Sequence, residues 1–332
     1  MKNTKLLWYL LVFSLIFSAC SKDDDDDDNT PKQVNESEVL VKYLESADSP
    51  YGADFANTQL PSIVTAEAVH TDVVAGTEMT IIDVRSEEDF NNGHIQGAIN
   101  KPAGEVLAYV QSEGLAKDHK IVVACYTGQT AGWVTSILNI MGYKEAKSLL
   151  WGMSSWHTDC MVKWSSSVAN TYATFFEDTE YEKGAAGALP TLSTGKTTGM
   201  EILEARVAAV VAEGFGEAKI TNATVFENTD NYYIVNYWGI DDYLGYGHIP
   251  GAMQYTPKES MKFEMDLSTL PTDKTIVIYC WTGQTSAALT TYLRVLGYDA
   301  KSLLFGANGM IYDELTGHKW VDTNCMGYEF GE

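Results

Sequence analysis

One stretch, Ile121-Val122-Val123-Ala124-Cys125-Tyr126-Thr127-Gly128-Gln129-Thr130, recurs further along the chain as Ile276-Val277-Ile278-Tyr279-Cys280-Trp281-Thr282-Gly283-Gln284-Thr285. Each copy is a continuous apolar run, typical of a buried strand, followed by a cysteine, a small polar loop and a helical pattern. A thiol at the end of a strand, facing backbone N–H groups and a helix N-terminus, lies where a thiolate is stabilised. The repeated stretch therefore indicates sulfur chemistry at two equivalent places.

The similarity between the two halves extends beyond the cysteine stretches. The further matching pairs are 81–85 with 234–238, 93–98 with 247–252, and 146–152 with 300–306. In each half the patterns follow the order strand, Gly-His-Ile turn, helix, strand, cysteine loop, helix, strand. Strands that alternate with helices predict an α/β fold with a mostly parallel sheet in each half.

Composition suggests where these halves begin and end. We predict a first domain over residues 38–164 and a second over 198–332. The segment between them, 165–197, is rich in Ser, Thr, Gly and Ala, which is typical of a linker or of an excursion over the surface.

The N-terminus has the pattern of an export signal. Two lysines precede an apolar stretch over residues 6–17, which is short for a membrane span, and small residues then lead to Cys20. We predict a signal peptide over residues 1–19. Small residues directly before a cysteine resemble the lipobox of bacterial lipoproteins, which implies lipidation of Cys20. The alternative is an ordinary secretory signal with an incidental cysteine.

The acidic charge of the chain restricts the classes of molecule that it is expected to bind. Residues 20–37 include six consecutive aspartates, which predict a solvated acidic tether. This run resembles the surface-export signal of some lipoproteins, so an outer-membrane protein facing either the periplasm or the exterior is expected. A formal charge of −23, from 22 basic and 45 acidic residues, argues against nucleic acid and leaves the lipid anchor as the contact with the membrane.

Three motifs occur in the same order in both halves: a strand ending in D-x-R or its counterpart, a G-H-I-x-G-A turn, and Cys-x-x-Gly-x-Thr. Together they resemble the rhodanese-like sulfurtransferases, here in tandem. The resemblance implies that Cys125 and Cys280 are nucleophiles that carry sulfane sulfur as a persulfide. It also implies a small sulfur-containing donor and a thiol or cyanide acceptor, with neither a cofactor nor a metal.

The resemblance gives the loops a role as well. Backbone amides of the loops would hold the terminal persulfide sulfur as an oxyanion hole holds oxygen. Gly128 and Gly283 would let the backbone turn inward, and Thr130 and Thr285 would donate hydroxyl hydrogen bonds or cap the helices. The predicted loop residues are Tyr126, Thr127, Gly128, Gln129, Thr130, Trp281, Thr282, Gly283, Gln284 and Thr285. The alternative is that both cysteines are merely buried small apolar residues.

The loops also depart from the family pattern. Members that use thiosulfate carry Arg or Lys in the loop, and neither loop here contains a cation. An anionic donor would then depend on backbone N–H groups, which argues against thiosulfate as the natural donor. The aromatic residue after each cysteine is predicted to form a side of the pocket that closes it off, or to stack on an organic donor.

The two halves differ at the D-x-R position. We predict that Asp83 and Arg85 stabilise the first domain through an ion pair and hydrogen bonds, whereas Asn236 and Trp238 replace them in the second. His94 and His248, in the Gly-His-Ile turns, are likewise predicted to be structural.

The remaining cysteines, Cys160 and Cys325, follow the shared glycines of each half. We predict that they are free or paired with each other; a role as resolving thiols for Cys125 and Cys280 is the alternative. Without any C-x-x-C spacing, a zinc site is not expected.

Two other functions compete with sulfur transfer. Phosphatases of a related fold use Cys-x5-Arg, but Ala131 and Ser286 stand where the arginine would be, so a phosphoryl group would lack its clamp. A non-catalytic binding lipoprotein on a rhodanese fold remains open, since a fold does not fix a function.

Overall fold

The two apolar runs form central strands of two separate sheets in the computed structural model, which describes residues 35–331. The first sheet contains β1 (Ile63–Val64), β2 (Thr80–Asp83), β3 (Ile99–Asn100), β4 (Ile121–Ala124) and β5 (Ala146–Leu149). The second contains β6 (Lys219–Ile220), β7 (Tyr233–Asn236), β8 (Met253–Gln254), β9 (Ile276–Tyr279) and β10 (Ala300–Leu303).

Strand order is the same in both sheets, β1-β5-β4-β2-β3 and β6-β10-β9-β7-β8, and all neighbouring strands are parallel. Every residue of β4 and β9 is buried, because these strands have a neighbour on each side and helices or loops on both faces. The predicted α/β class, with a mostly parallel sheet in each half, is confirmed.

Helices surround the sheets. In the first half they are α1 (Glu36–Glu45), α2 (Phe55–Thr58), α3 (Ala66–Ala75), α4 (Glu87–Asn92), α5 (Val106–Ser112), α6 (Gln129–Ile140) and α7 (Val162–Ser165). In the second half they are α8 (Gly199–Glu217), α9 (Asn222–Glu227), α10 (Ile240–Gly245) and α11 (Gln284–Val295). The helix predicted between the Gly-His-Ile turn and the cysteine strand is α5 in the first half. Turns and a short 3-10 segment at Leu267–Thr269 occupy that place in the second, which corrects the prediction there.

The two helices that start at the cysteine loops, α6 and α11, pack against each other between the sheets and are almost entirely buried. Gly132 permits this close approach, because a Cβ there would lie 2.8 Å from the carbonyl oxygen of Gln284. Deeper along the contact, the Ser136 hydroxyl donates to the carbonyl of Ala288 at 2.9 Å. The largest apolar core is consequently shared by the two halves.

The segment that follows each half crosses to the other half. In the linker, Ala169 N donates to the Asn308 carbonyl at 3.0 Å, and Tyr172 N donates to that of Met310 at 3.1 Å. Glu177 and His248 exchange two backbone hydrogen bonds of 3.0 and 2.8 Å. The predicted linker thus covers the outer face of the second sheet.

The C-terminal tail, residues 321–331, does the same for the first half. Its Met326 N donates to the Ser155 carbonyl at 2.9 Å, and its Tyr328 N to the Trp156 carbonyl at 2.8 Å. Gly331 N reaches the carbonyl of His94, in the first Gly-His-Ile turn, at 2.8 Å. This reciprocal exchange ties each sheet to the other half of the chain.

The N-terminal predictions fall largely beyond the described residues. The predicted signal peptide, Cys20 and most of the acidic tether lie outside residues 35–331. The last residues of the predicted tether, Glu36 and Ser37, are buried and begin α1, so the folded part starts before residue 38. Within residues 35–331 no helix has both the length and the apolar character needed to cross a membrane.

Candidate active site

The first cysteine, Cys125, directly follows β4 and is 2 % exposed. The chain then turns through Gly128, whose φ of +88° lies in the left-handed region that favours glycine, and α6 begins at the next residue. Cys280 follows β9 in the same way, is also 2 % exposed, and is followed by Gly283 with φ of +79°. Both thiols therefore lie at the carboxyl edge of a sheet, inside a helix N-terminal turn.

Backbone amides surround the first sulfur. Cys125 Sγ accepts hydrogen bonds from the N–H of Gly128 at 3.1 Å and from the N–H of Ala131 at 3.3 Å. Ala131 lies one residue beyond the predicted loop, in the first turn of α6. A sulfur anion at this position would be stabilised by these donors, because N–H groups at a helix start have no partner within the helix.

The second sulfur has a different set of partners. Cys280 Sγ accepts from the N–H of Ser286 at 3.4 Å and lies 3.7 Å from the Ser286 hydroxyl oxygen. That hydroxyl also shares a 2.8 Å hydrogen bond with Ser302 of β10. The sequence analysis noted Ser286 only because it stands where a phosphatase would have an arginine. In the structure it is a neighbour of the thiol.

Burial opposes the amides at Cys125. Desolvation raises the pKa of the Cys125 thiol, and the hydrogen bonds from the amides of Ala131, Thr127 and Gly128 lower it by less. The net pKa is above the ordinary value, so burial outweighs the stabilisation of the thiolate that was predicted from the helix N-terminus. The nearby carboxylate of Asp83 acts in the same direction as burial.

A second segment closes over each loop. In the first half, Met153 N donates to the Cys125 carbonyl at 2.8 Å, and the Ser154 hydroxyl donates to the Tyr126 carbonyl at 3.0 Å. A Cβ on Gly152 would lie 2.6 Å from the backbone nitrogens of Thr127 and Gly128, so only glycine fits there. The sequence showed this glycine as part of the repeat, without indicating what it touches.

The corresponding contacts recur in the second half. Ala307 N donates to the Cys280 carbonyl at 3.0 Å, and the Asn308 amide donates to the Trp281 carbonyl at 2.8 Å. Gly306 has positive φ and lies against the backbone of Cys280 and Trp281. Both loops are therefore held closed by the segment that follows the next strand.

The aromatic residue after Cys125 is held by polar and charged groups. The Tyr126 hydroxyl donates to the carboxylate of Asp89, and its ring lies 5.1 Å from Lys163 Nζ and 5.9 Å from the Arg85 guanidinium carbon. Contact of two cations with one ring is favourable because the face of the ring carries partial negative charge.

The aromatic residue after Cys280 is held by other rings. Trp281 stacks on Trp238 with centroids 4.0 Å apart, and His318 stacks on it with centroids 5.2 Å apart. Trp238 is the residue that replaces arginine in the second D-x-R position. Its partner Asn236 is buried and donates from its side-chain amide to the Tyr279 hydroxyl at 2.7 Å.

In the first half the D-x-R pair forms a buried ion pair. Arg85 Nη2 lies 2.7 Å from the Asp83 carboxylate and donates at 2.6 Å to the carbonyl of Gly93, which joins β2 to the Gly-His-Ile turn. In the turns, the His94 ring stacks on Phe90 and the His248 ring on Tyr243, each with centroids 3.9 Å apart. These four predicted structural residues lie beside the turn, and none of them hydrogen-bonds to either thiol.

The threonines do not cap the helices. The N-cap residues of α6 and α11 are Gly128 and Gly283, without a side-chain capping bond, and Thr130 and Thr285 are the second residues of the helices. The predicted capping role of Thr130 and Thr285 is therefore wrong, because the helices start two residues earlier than a threonine cap requires.

The other two loop threonines bind within their own loops. Thr127 Oγ1 accepts from the Gln129 side-chain amide at 3.1 Å, and Thr282 Oγ1 accepts from Gln284 N at 3.2 Å.

The two loops are joined by two glutamines, one from each loop, that hydrogen-bond to the opposite half; we call these contacts the glutamine exchange. The sequence did not indicate them. Gln129 Oε1 accepts from the N–H of Phe305, in the second half, at 2.9 Å. Gln284 Nε2 donates to Ser148 Oγ at 2.8 Å and to the Leu149 carbonyl at 3.2 Å, both in the first half.

Each glutamine also lies against the glycine of the opposite loop. A Cβ on Gly128 would come within 2.6 Å of Gln284 Oε1, and one on Gly283 would collide with Gln129 Oε1. The conformation of each loop therefore depends on a side chain from the other half.

The remaining cysteines, Cys160 and Cys325, are free and partly exposed. Arg85 Nη1 lies 3.9 Å from Cys160 Sγ, and burial raises the pKa of that thiol. Among residues 35–331, His, Cys, Asp and Glu side chains form no group of three or more that could hold a metal ion.

The raised pKa makes a testable prediction about Cys125. Because the thiolate is the nucleophile, the rate of alkylation of Cys125 by iodoacetamide should reach half its maximum at a pH above the ~8.5 of an ordinary cysteine thiol. Below that pH Cys125 should react more slowly than a model cysteine peptide. The measurement is peptide-resolved mass spectrometry of alkylated protein between pH 6 and 11, and a midpoint below that of the model peptide would contradict the prediction.

The glutamine exchange makes a second prediction. Gln284→Ala removes two hydrogen bonds to the first half and the contact with Gly128, so the first loop should open more often. Alkylation of Cys125 should become about fivefold faster, since the net loss of a buried hydrogen bond is ~1 kcal/mol. The same peptide-resolved assay reports Cys280, which should change less.

The matched control is Ser136→Ala, which removes one hydrogen bond between the same two helices at a distance from the loops. It should leave both alkylation rates close to wild type. An effect of Gln284→Ala confined to Cys280, the cysteine of its own loop, would show that the exchange does not position the opposite loop.

Sequence comparisons agree with this architecture. The sequence model of the Rhodanese-like domain matches residues 65–159 and 228–310, which together are more than half of the 332 residues. "Thiosulfate sulfurtransferase GlpE" from Shewanella oneidensis is 34 % identical over 77 residues, covering 23 % of this chain and 74 % of that protein.

Two further matches are more distant. "Putative sulfur carrier protein YrkF" from Bacillus subtilis is 25 % identical over 123 residues; the match covers 36 % of this chain and 63 % of that protein, less than two thirds of its length. A crystal structure of the Alr3790 protein from Anabaena sp. is 25 % identical, with a TM-score of 0.26, and the match covers 27 % of this chain and 80 % of that one. Because the family model matches the chain twice, over more than half of the chain's length, the chain belongs to the rhodanese-like domain family and carries two copies of the domain in tandem.

Proposed function

We propose that this protein is a sulfurtransferase that moves sulfane sulfur from a donor to a thiophilic acceptor through a cysteine persulfide. The observation that carries the proposal is the placement of Cys125 Sγ between the N–H groups of Gly128 and Ala131 at the end of a central strand. Membership of the rhodanese-like family and a relative named as a thiosulfate sulfurtransferase support it.

The chemistry proceeds in two balanced displacements. The Cys125 thiolate attacks the sulfane sulfur of the donor, a new S–S bond forms, and the bond between that sulfur and the rest of the donor breaks. The donor leaves with the electron pair of the broken bond. An acceptor thiolate or cyanide then attacks the terminal sulfur, and Cys125 leaves as the thiolate, so the enzyme is regenerated without net oxidation.

The loop amides stabilise the charged states of this cycle. The negative charge moves from Sγ to the terminal sulfur when the persulfide forms, and the N–H groups of Gly128 and Ala131, which now contact Sγ, lie within one bond length of that charge and would stabilise it. Because Cys125 is 2 % exposed, the loop or the covering segment at Gly152 must open before the donor reaches its sulfur. Cys280 offers an equivalent nucleophile in the second half, with the Ser286 hydroxyl beside it.

A second candidate function is a non-catalytic binding protein on the same fold. Burial of both thiols, the raised pKa of Cys125 and the replacement of D-x-R by Asn236 and Trp238 favour it. The placement of amide donors on both sulfurs favours the enzyme, because a purely structural cysteine needs no such partners.

We also propose that the protein is exported and anchored in the cell envelope through a lipid on Cys20. This rests on the sequence alone: two lysines, an apolar stretch over 6–17 and small residues before the cysteine. The acidic run that follows would act as a tether between the lipid and the folded domains.

The persulfide is tested on the soluble chain lacking residues 1–34. After incubation with thiosulfate, 3-mercaptopyruvate or glutathione persulfide, mass spectrometry should find an added sulfur, ~32 Da, on Cys125 or Cys280. Addition of cyanide should then release thiocyanate and remove the added mass. Cys125→Ser and Cys280→Ser should each abolish the signal at their own site, which apportions the activity between the halves.

The control is Cys160→Ser, which removes a thiol outside both loops and should leave thiocyanate formation unchanged. If no donor yields thiocyanate and neither loop cysteine gains sulfur, the enzyme proposal fails and the binding protein is favoured.

Lipidation is tested by expressing the full chain in a Gram-negative host with an alkyne fatty acid. Wild type should incorporate the label and sediment with membranes, and Cys20→Ser should lose both properties. Unlabelled soluble protein from the wild-type chain would instead identify an ordinary secretory signal. Protease treatment of intact cells separates a surface-exposed from a periplasm-facing protein.

A further inference from the structure

Residues 152–156, which we call the covering segment, close over the first cysteine loop. Met153 N donates to the Cys125 carbonyl at 2.8 Å, and Ser154 N donates to the Tyr126 carbonyl at 3.2 Å. Movement of the loop away from this segment breaks both hydrogen bonds. Whatever holds the covering segment in place therefore also holds the loop closed.

The C-terminal tail holds the last residues of the covering segment. Met326 N donates to the Ser155 carbonyl at 2.9 Å, and Tyr328 N donates to the Trp156 carbonyl at 2.8 Å. The Trp156 indole N–H donates in return to the Glu329 carbonyl at 3.1 Å. Three hydrogen bonds thus join a segment of the second half to the cover of the first thiol.

Two aromatic side chains fasten the tail to the same stretch of chain. The Tyr328 ring stacks on His70 with centroids 3.8 Å apart, and it meets the Trp156 ring edge-on at 5.0 Å. The Phe330 ring stacks on His157 with centroids 3.9 Å apart. Because His157 directly follows the covering segment, the ring contacts and the hydrogen bonds act on one element.

The tail can separate from the first half without opening either sheet. None of the described residues 321–331 is buried, and apart from the 3-10 turn Asp322–Asn324 they form neither helix nor strand. Trp320, the residue before the tail, is by contrast 1 % exposed and packs in one cluster with Trp151 and Trp164. Partly exposed segments open at a lower free-energy cost than the core. The tail can therefore detach beyond Trp320 while both domains stay folded.

We infer that the C-terminal tail is an autoinhibitory strap for the first thiol. While the tail is bound, it holds the covering segment against the loop and keeps Cys125 enclosed. When the tail detaches, the covering segment loses three hydrogen bonds and the loop opens more often. The inference goes beyond the proposed sulfur transfer, because it concerns the access of any reagent to Cys125.

The test truncates the chain after Cys325. This removes all three hydrogen bonds and both ring contacts and leaves Trp320 in place. Alkylation of Cys125 by iodoacetamide should become about tenfold or more faster, because each lost hydrogen bond shifts the opening equilibrium severalfold. Peptide-resolved mass spectrometry measures the rate, and Cys280 in the same sample should keep its wild-type rate.

Hydrogen exchange gives a second measurement on the same two proteins. The amides of Met153 and Ser154, which donate to the first loop, should exchange faster after truncation. The amides of Ala307 and Asn308, which donate to the Cys280 loop, should keep their wild-type rates. A general loss of stability would accelerate both pairs, so the comparison separates local release from unfolding.

A double substitution tests the ring contacts in a chain of unchanged length. Tyr328→Ala/Phe330→Ala removes both rings and keeps the backbone of the tail, so alkylation of Cys125 should become severalfold faster. The matched control is Tyr172→Ala/Phe175→Ala, which removes the same two ring types from the linker, where they pack against the second half. It should leave Cys125 at its wild-type rate.

A wild-type rate of Cys125 alkylation in the folded truncated chain overturns the strap, as does an equal acceleration at Cys125 and Cys280. Equal effects of the tail and linker substitutions on Cys125 also overturn it, since general loosening would then be the cause. Absence of added sulfur on both cysteines overturns the proposed function instead. That result leaves the strap unaffected, because alkylation needs no sulfur transfer.

Discussion

The contact between α6 and α11 is the interaction on which the rest of the structure depends. Each helix starts at a cysteine loop, so packing the two helices together fixes the loops relative to each other. Gly132 allows the close approach, and the hydrogen bond from Ser136 to Ala288 satisfies a buried hydroxyl within it. The reciprocal bonds of Gln129 and Gln284 extend this contact into the loops. Neither site is complete without the other half of the chain.

Burial also sets the chemical state of the first thiol. Cys125 is 2 % exposed, and the lost hydration raises its pKa more than the loop amides lower it. The closed loop accordingly holds a protonated, protected thiol, whereas opening would restore hydration and leave the amides to favour the thiolate. Protection of the thiol and its reactivity therefore belong to two states of one loop.

The two halves keep one backbone arrangement and hold it with different interactions. In the first, the Asp83–Arg85 ion pair and Lys163 surround the ring of Tyr126. In the second, Trp238 and His318 enclose Trp281 in an aromatic stack. Charged groups near Cys125 and stacked rings near Cys280 give the two loops different electrostatic surroundings. The proposed sulfur transfer can therefore differ between the two halves without a change of fold.

The sequence by itself determined the parallel sheets, the cysteines at the ends of β4 and β9, and the glycines that turn the loops. These follow from short-range patterns: continuous apolar runs, helical spacing, and glycines at positions 128 and 283, where the backbone takes positive φ. Only the tertiary structure decided which groups meet around the thiols. Gln129 meets Phe305, and Gln284 meets Ser148, although the members of each pair are distant in the sequence. No local pattern encodes such contacts, and the direction of the Cys125 pKa shift depends on burial in the folded chain.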